Sequence, residues 1–62
     1  MNRYVRSYRL GYIEGIKDGY RDYHKNKEKS FKITNSGLTE SKMYDIGYIY
    51  GYRKIIKYVF KL

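Results

Sequence analysis

The sequence predicts an all-α protein: an antiparallel hairpin of two helices that pairs with a second copy to form a four-helix bundle. Three observations lead to this prediction. Glycines recur at every fourth position in two segments, tyrosines recur at every fourth position beside them, and the second segment is apolar around most of its circumference. A step of four places residues on one side of an α-helix. Each segment therefore predicts a helix with a ridge of glycine and tyrosine.

The first helix is predicted over residues 3–25, with glycines at positions 11, 15 and 19. A glycine in a helix interior costs about 1 kcal/mol relative to alanine. A chain of 62 residues has little stability to lose. We therefore expect the glycine row to lie against a neighbouring backbone or aromatic ring. The alternative is that some of these glycines mark turns and that the helix is broken.

Charged residues fill the arc of this helix opposite its apolar face. Its carboxylates, Glu14, Asp18 and Asp22, also follow a step of four and stand among basic residues. Such a pattern is typical of a solvated stripe, and we do not expect an acid/base pair here.

The second helix is predicted over residues 39–61. A turn at 35–37 precedes it, Thr39 is a suitable N-cap, and Leu38 can pack onto Met43. Its residues 47–53 repeat the order Gly-Tyr-Ile-x-Gly-apolar-basic found at 11–17. The residues predicted to pack helices together or to form the dimer are Gly11, Gly15, Gly19, Gly47, Gly51, Tyr48 and Tyr52.

The homodimer is predicted from apolar residues outside the main face of the second helix, namely Ile46, Ile49, Tyr50 and Phe60. A helix that is apolar around most of its circumference is usually buried on more than one side. One partner helix cannot cover it, so we expect the second helices to lie at the centre of the dimer.

A Lys-rich connector is predicted over residues 26–38. Its residues 30–34 alternate between polar and apolar. They could form a short strand that pairs across the dimer, or Phe31 and Ile33 could tuck onto the helices. We favour the second interpretation.

The sequence predicts no enzyme. It contains no cysteine and one histidine, His24, which stands near Asp22 and Glu28 in what resembles a solvated helix end. No phosphate-binding loop precedes a helix, and no metal or cofactor is expected.

The charge indicates an anionic partner, because the formal net charge is +8 and the pI is about 9.8. Two stretches without acids, 1–13 and 46–62, would be neighbours in an antiparallel hairpin. Their cations would share one end of the molecule, beside two tyrosines expected to be exposed. The predicted nucleic-acid-binding residues are Arg3, Arg6, Arg9, Arg53, Lys54, Lys57, Lys61, Tyr50 and Tyr58. The alternative is that the net charge serves only solubility.

Two functions follow. The first is sequence-tolerant binding of the nucleic-acid backbone by a homodimer. The second is stoichiometric inhibition or adaptation of an acidic host protein, such as a defence or replication factor, through a tyrosine-rich face. Tyr, Lys, Ile and Asn use AT-rich codons, and their abundance suggests a phage or mobile-element origin.

A cytoplasmic location, in the host cell for a viral protein, is expected because neither a signal peptide nor a membrane-spanning segment is evident. Residues 53–62 also resemble a basic interfacial helix. In a folded hairpin their apolar arc faces the core, so binding to a membrane surface is disfavoured.

Overall fold

The computed structural model describes residues 2–31 and 39–60, the last two by their backbone only. These residues form two helices, α1 (Arg3–His24) and α2 (Glu40–Phe60), and no strand occurs in the described stretches. Against the predicted ranges, α1 ends one residue earlier and α2 begins one residue later. The turn at 35–37, Leu38, Ile33 and residue 61 lie outside the described residues.

Polar side chains and backbone geometry set the ends of the helices. The side chain of Asn2 accepts a hydrogen bond from the Tyr4 amide at 2.8 Å and caps α1. Thr39 Oγ1 accepts from the Lys42 amide at 3.0 Å, which confirms the predicted cap of α2. After α1 the chain turns at Asn26, whose φ of 54° is left-handed, a conformation that asparagine tolerates better than most residues.

The two helices pack against each other along their length, and they run in the same direction. A Cβ atom added at Gly11 would meet the backbone of Tyr44 and Tyr48, whereas one at Gly19 would meet Tyr52 and a residue beyond it. Residues later in α1 therefore contact residues later in α2. The predicted packing of two helices is confirmed, but the predicted antiparallel direction is wrong.

The length of the connector explains why a parallel pair can form. Fifteen residues, 25–39, join the helices, and an extended chain of that length spans about 50 Å. The 22 residues of α1 rise by about 33 Å, so the connector can return to the end where α1 begins. The antiparallel prediction assumed that consecutive helices turn back directly, as short loops require.

The glycines of both helices lie in one contact, which we call the seam. Gly47 and Gly51 stand 36 positions after Gly11 and Gly15, and their contacts repeat with the same offset. Gly11 lies against the backbone of Tyr44 and Tyr48, and Gly47 lies against that of Tyr8 and Tyr12. If α1 and α2 exchanged places, the same contacts would form, and both helices would still run in the same direction. α1 and α2 are related by an approximate two-fold axis parallel to both.

Within the described part of the chain, the buried apolar side chains belong to α2. They are Ile49, Tyr52 and Ile56, and Tyr52 is only 1% exposed. Ile56 also lines a cavity together with Lys27 and Glu28 of the connector. Ile49 is therefore buried within a single chain, although its position outside the main face of α2 was one reason to predict a dimer.

Candidate binding face

The seam divides the surface of the helix pair into two sides. Residues one position before and one position after a glycine point about 100° to either side of it. Asp18 thus lies on one side of the glycine row of α1, whereas Tyr12 and Ile16 lie on the other. Because of the two-fold relation, residues that follow a glycine in one helix lie beside residues that precede the equivalent position in the other helix. We call the side with Asp18 the connector face and the side with Tyr12 the open face.

On the connector face two tyrosines of α2 bond two carboxylates of α1. The Tyr48 hydroxyl donates to Asp18 Oδ2, and the Tyr52 hydroxyl donates to Asp22 Oδ2 at 2.8 Å. The connector adds Lys29, whose backbone amide donates to the Tyr52 hydroxyl at 2.9 Å and whose Nζ donates to the Tyr48 hydroxyl at 3.2 Å. One network therefore ties α1, α2 and the connector together.

This network changes the protonation equilibria of its members. The hydrogen bond from Tyr52 holds the pKa of Asp22 below its ordinary value, although burial opposes this effect. Burial raises the pKa values of Tyr48 and Tyr52. The hydrogen bond to Tyr48 raises the pKa of Lys29, whose Nζ is also 3.9 Å from Asp22 Oδ2. The network is thus arranged for a charged aspartate, a charged lysine and neutral tyrosines.

The prediction of a solvated carboxylate stripe is wrong for two of its three members. Asp22 is only 7% exposed and Asp18 is half-buried, whereas Glu14 pairs with Lys17 at the surface. The reason is that Asp18 and Asp22 flank the glycine row, and the close approach at that row draws α2 over them. The signal in the sequence was the matching step of four between these aspartates and Tyr48 and Tyr52.

Phe31 covers the connector face. Its ring meets that of Tyr52 edge-on at 5.2 Å between centroids and that of Tyr48 at 5.9 Å. Phe31 packs onto the helices as the favoured interpretation of the connector predicted. Lys29 and Phe31 therefore cover Tyr48 and Tyr52 on this side.

On the open face the described residues that line the equivalent groove all belong to the helices. A cavity of about 390 Å³ lies between Tyr12 and Ile16 of α1 and Lys54, Ile55 and Tyr58 of α2. Lys54 Nζ lies 6.0 Å from the centroid of the Tyr12 ring. The Tyr58 side chain is 64% exposed. None of the described connector residues lines this groove.

A second groove of about 360 Å³ adjoins the first and shares Tyr12 and Lys54 with it. Its other described lining residues are Tyr50, Arg53 and Lys57, so the described part of its lining contains three cations and no carboxylate. Tyr50 is 46% exposed and meets the ring of Tyr8 edge-on at 6.4 Å. Tyr50 and Tyr58 are both exposed, as expected.

The parallel direction divides the predicted cluster of cations. Arg3 begins α1 and lies near Glu40, the first residue of α2. Arg6 and Arg9 lie in the same part of α1, whereas the cations from position 53 onward lie at the far end of α2. The expected convergence at one end is therefore wrong. Arg53, Lys54 and Lys57 remain together with both tyrosines, and Lys61 lies outside the described residues.

The described stretches, residues 2–31 and 39–60, offer little else for chemistry. No group of three or more His, Cys, Asp or Glu residues there is placed to hold a metal ion. The exposed His24 ring meets that of Tyr20 at 4.5 Å. Neither α1 nor α2, over its described length, is long and apolar enough to cross a membrane.

Comparison with known proteins gives no relative, because no family model, curated protein or solved structure matches this chain.

Proposed function

We propose that this chain is a non-enzymatic binding protein that docks a segment of another protein on its open face. The observation that supports this proposal is the groove of Tyr12, Ile16, Lys54, Ile55 and Tyr58, which none of the described connector residues lines, whereas Lys29 and Phe31 cover the equivalent tyrosines of the connector face. Exposed aromatic residues beside a basic residue are typical of the central contacts of protein interfaces. The inhibitor or adaptor hypothesis is therefore the function that the geometry favours.

Nucleic-acid binding is the second candidate, and a specific observation favours it too. The groove of Tyr12, Tyr50, Arg53, Lys54 and Lys57 combines three cations with exposed tyrosine, and none of its described lining residues is acidic. Single strands bind to such combinations, with phosphates on the cations and bases stacked on the rings. The proposed site is smaller than the sequence predicted, because the arginines of early α1 lie at the other end.

We also propose that the chain forms a homodimer, with a contact different from the one predicted. Leu10 and Ile13 are each 50% exposed and Tyr20 is 54% exposed, and all three lie on the outer side of α1. Scattered exposed apolar residues are ordinary, but three on one outer surface of so small a domain favour a partner. A phage or mobile-element origin remains a proposal that rests on composition alone.

A site-specific photo-crosslinker distinguishes the two candidate functions. We would place it at Tyr58 on the open face and, as a matched control, at Ile13 on the outer side of α1, in the cells where the chain is naturally made. The proposal predicts a protease-sensitive, nuclease-resistant adduct of defined mass at position 58 that differs from any adduct at position 13. A nuclease-sensitive adduct at position 58 would support nucleic-acid binding instead. No adduct, or identical adducts at both positions, would contradict the proposed use of the open face.

A further inference from the structure

We infer that the open face takes an extended, acidic and aromatic peptide segment, the charge-inverted counterpart of this chain's own connector. This inference rests on the proposed protein-binding function and specifies its partner. It starts from the approximate two-fold relation between the helices, which makes the connector face and the open face equivalent positions.

The equivalence can be followed residue by residue. At the offset of 36, Tyr48 and Tyr52 on the connector face correspond to Tyr12 and Ile16 on the open face. Tyr48 and Tyr52 bond the aspartates of α1, whereas Tyr12 and Ile16 line a groove with Lys54 and Ile55. Both faces thus present a ring of one helix against a charged residue of the other.

The charge is reversed at one of the two positions that carry aspartates on the connector face. The counterpart of Asp18 is Lys54, and the counterpart of Asp22 is Tyr58. The connector brings a cation, Lys29, to the face that carries aspartates. The face that carries Lys54, with Arg53 and Lys57 beside it, therefore favours a segment that brings a carboxylate.

The shape of the occupant follows from the connector as well. Lys29 and Phe31 belong to neither helix, and both contact Tyr48 and Tyr52. Residues two positions apart point to the same side of an extended chain. A segment with an acidic residue two positions before an aromatic ring can therefore place the ring against Tyr12 and Ile16 and the acid near Lys54 and Tyr58. On the connector face the Tyr52 hydroxyl accepts a hydrogen bond from the Lys29 backbone amide. Its counterpart on the open face, Ile16, has no hydroxyl, so the bound segment would lack this hydrogen bond.

The test uses three fluorescent peptides. The first carries the sequence of residues 25–31 with its three lysines replaced by glutamate, the second is the unmodified sequence, and the third is the acidic peptide with its phenylalanine replaced by alanine. Fluorescence anisotropy should show that the acidic aromatic peptide binds at least about tenfold more tightly than either of the others, a factor equal to about 1.4 kcal/mol.

Variants of the protein locate the bound peptide. Lys54→Glu should weaken binding of the acidic aromatic peptide by about tenfold or more, and Tyr58→Ala should weaken it by a smaller factor. Arg6→Glu makes the same charge change at an exposed position of early α1 and should leave binding unchanged. Helical circular dichroism checks that each variant remains folded. Equal losses in Lys54→Glu and Arg6→Glu would overturn the inference, because the attraction would then be unspecific.

A labelled single-stranded oligonucleotide completes the experiment. If it binds more tightly than the acidic peptide and loses affinity in Lys54→Glu, the groove serves nucleic acid and the inference is overturned. If no peptide preference is seen but a protein still crosslinks at Tyr58, only the acidic-aromatic chemistry is overturned. If no peptide preference is seen and no protein crosslinks at Tyr58, the protein-binding function itself is overturned.

Discussion

The side chains of Arg3 and Glu40, the first residues of the two helices, lie 3.7 Å apart. Both helices therefore begin at one end of the molecule, and their macrodipoles point the same way. Parallel dipoles repel each other, and cations near the C-terminal ends reduce this cost. The last turns contain the cations Arg21 in α1 and Lys57 in α2. The basic C-terminal end thus has a structural role in addition to the one proposed for binding.

The first prediction concerns the close approach of the helices at Gly15. A Cβ atom at this position would lie 2.9 Å from the Tyr48 carbonyl carbon and 2.9 Å from the Tyr52 amide nitrogen, both of which are backbone atoms. Gly15→Ala should lower the free energy of unfolding, because overpacking costs about 1–3 kcal/mol and outweighs the gain in helix propensity of up to about 1 kcal/mol. Urea unfolding followed by circular dichroism measures the change.

Gly19 provides the matched control for this prediction. Its nearest obstacle is a methyl group of the Ile55 side chain, which can move more easily than backbone. Gly19→Ala should therefore be less destabilising than Gly15→Ala, and its effect should be coupled to Ile55→Ala in a double-mutant cycle. An alanine at position 15 that stabilises the protein would show that the helices are not in close contact there.

The second prediction concerns pH. The pKa of Asp22 is lower in the folded chain than its ordinary value, so the unfolded chain binds a proton first as the pH falls. The contribution of the Asp22 carboxylate to the free energy of unfolding is fully present above the ordinary aspartate pKa, near 4. It is lost as the pH falls through the lower pKa of the folded chain. Asp22→Asn should reduce stability at neutral pH and weaken its dependence on pH below about 4. Thermal unfolding from pH 7 to pH 2.5 measures both.

The exposed Glu28 serves as the control for Asp22. Glu28→Gln removes one carboxylate without touching the tyrosine network, so its acid unfolding should match that of the original chain. If the two variants respond alike to acid, the bond between Tyr52 and Asp22 does not govern stability at low pH.

Much of the helical structure could be predicted from the sequence, but the direction of the helices could not. The step of four in glycine and tyrosine indicated both helices, and Thr39 indicated where the second begins. An amphipathic pattern is the same for parallel and antiparallel neighbours, so it carries no information on direction. The length of the connector was the available signal, because helices that turn back directly are joined by about 2–8 residues.

The candidate site was predictable only in part, for the same reason. Tyr50, Arg53, Lys54, Tyr58 and their neighbours on α2 stay together whichever way α1 runs, because they belong to one helix. Their partners on α1 depend on direction. Tyr12 and Ile16 form the groove only in the parallel pair, and neither was predicted as a binding residue.

The third prediction tests the nucleic-acid candidate. Arg6 and Lys57 lie at opposite ends of the helix pair. If a single strand binds, Lys57→Glu should weaken binding and reduce its salt dependence, whereas Arg6→Glu should have a much smaller effect. Anisotropy of a labelled oligonucleotide from 50 to 200 mM salt measures this difference. If both variants weaken binding equally, the single strand contacts both ends of the molecule and does not bind only in the proposed groove.

The fourth prediction concerns self-association through the outer side of α1. Ile13→Glu places a charge between Leu10 and Tyr20 and should convert a dimer to a monomer. Lys25→Glu, at an exposed position just after the end of α1, changes the charge outside this surface and should leave the dimer intact. Sedimentation at micromolar concentration gives the mass directly. A monomeric original chain, or a dimer unaffected by Ile13→Glu, would contradict the proposed contact.

The parallel direction of α1 and α2 is the central claim, because the open face and its proposed occupant depend on it. The chain has no cysteine, so spin labels can be placed at introduced cysteines without background. We would label the exposed pairs Arg3 with Glu40 and Arg3 with Lys57, diluted with unlabelled chain, and measure both distances by pulsed electron paramagnetic resonance. In the parallel pair Arg3 and Glu40 are level, and Lys57 lies about 26 Å further along the axis of α2, so the first distance should be clearly the shorter. A shorter distance from Arg3 to Lys57 would show antiparallel helices and contradict the account.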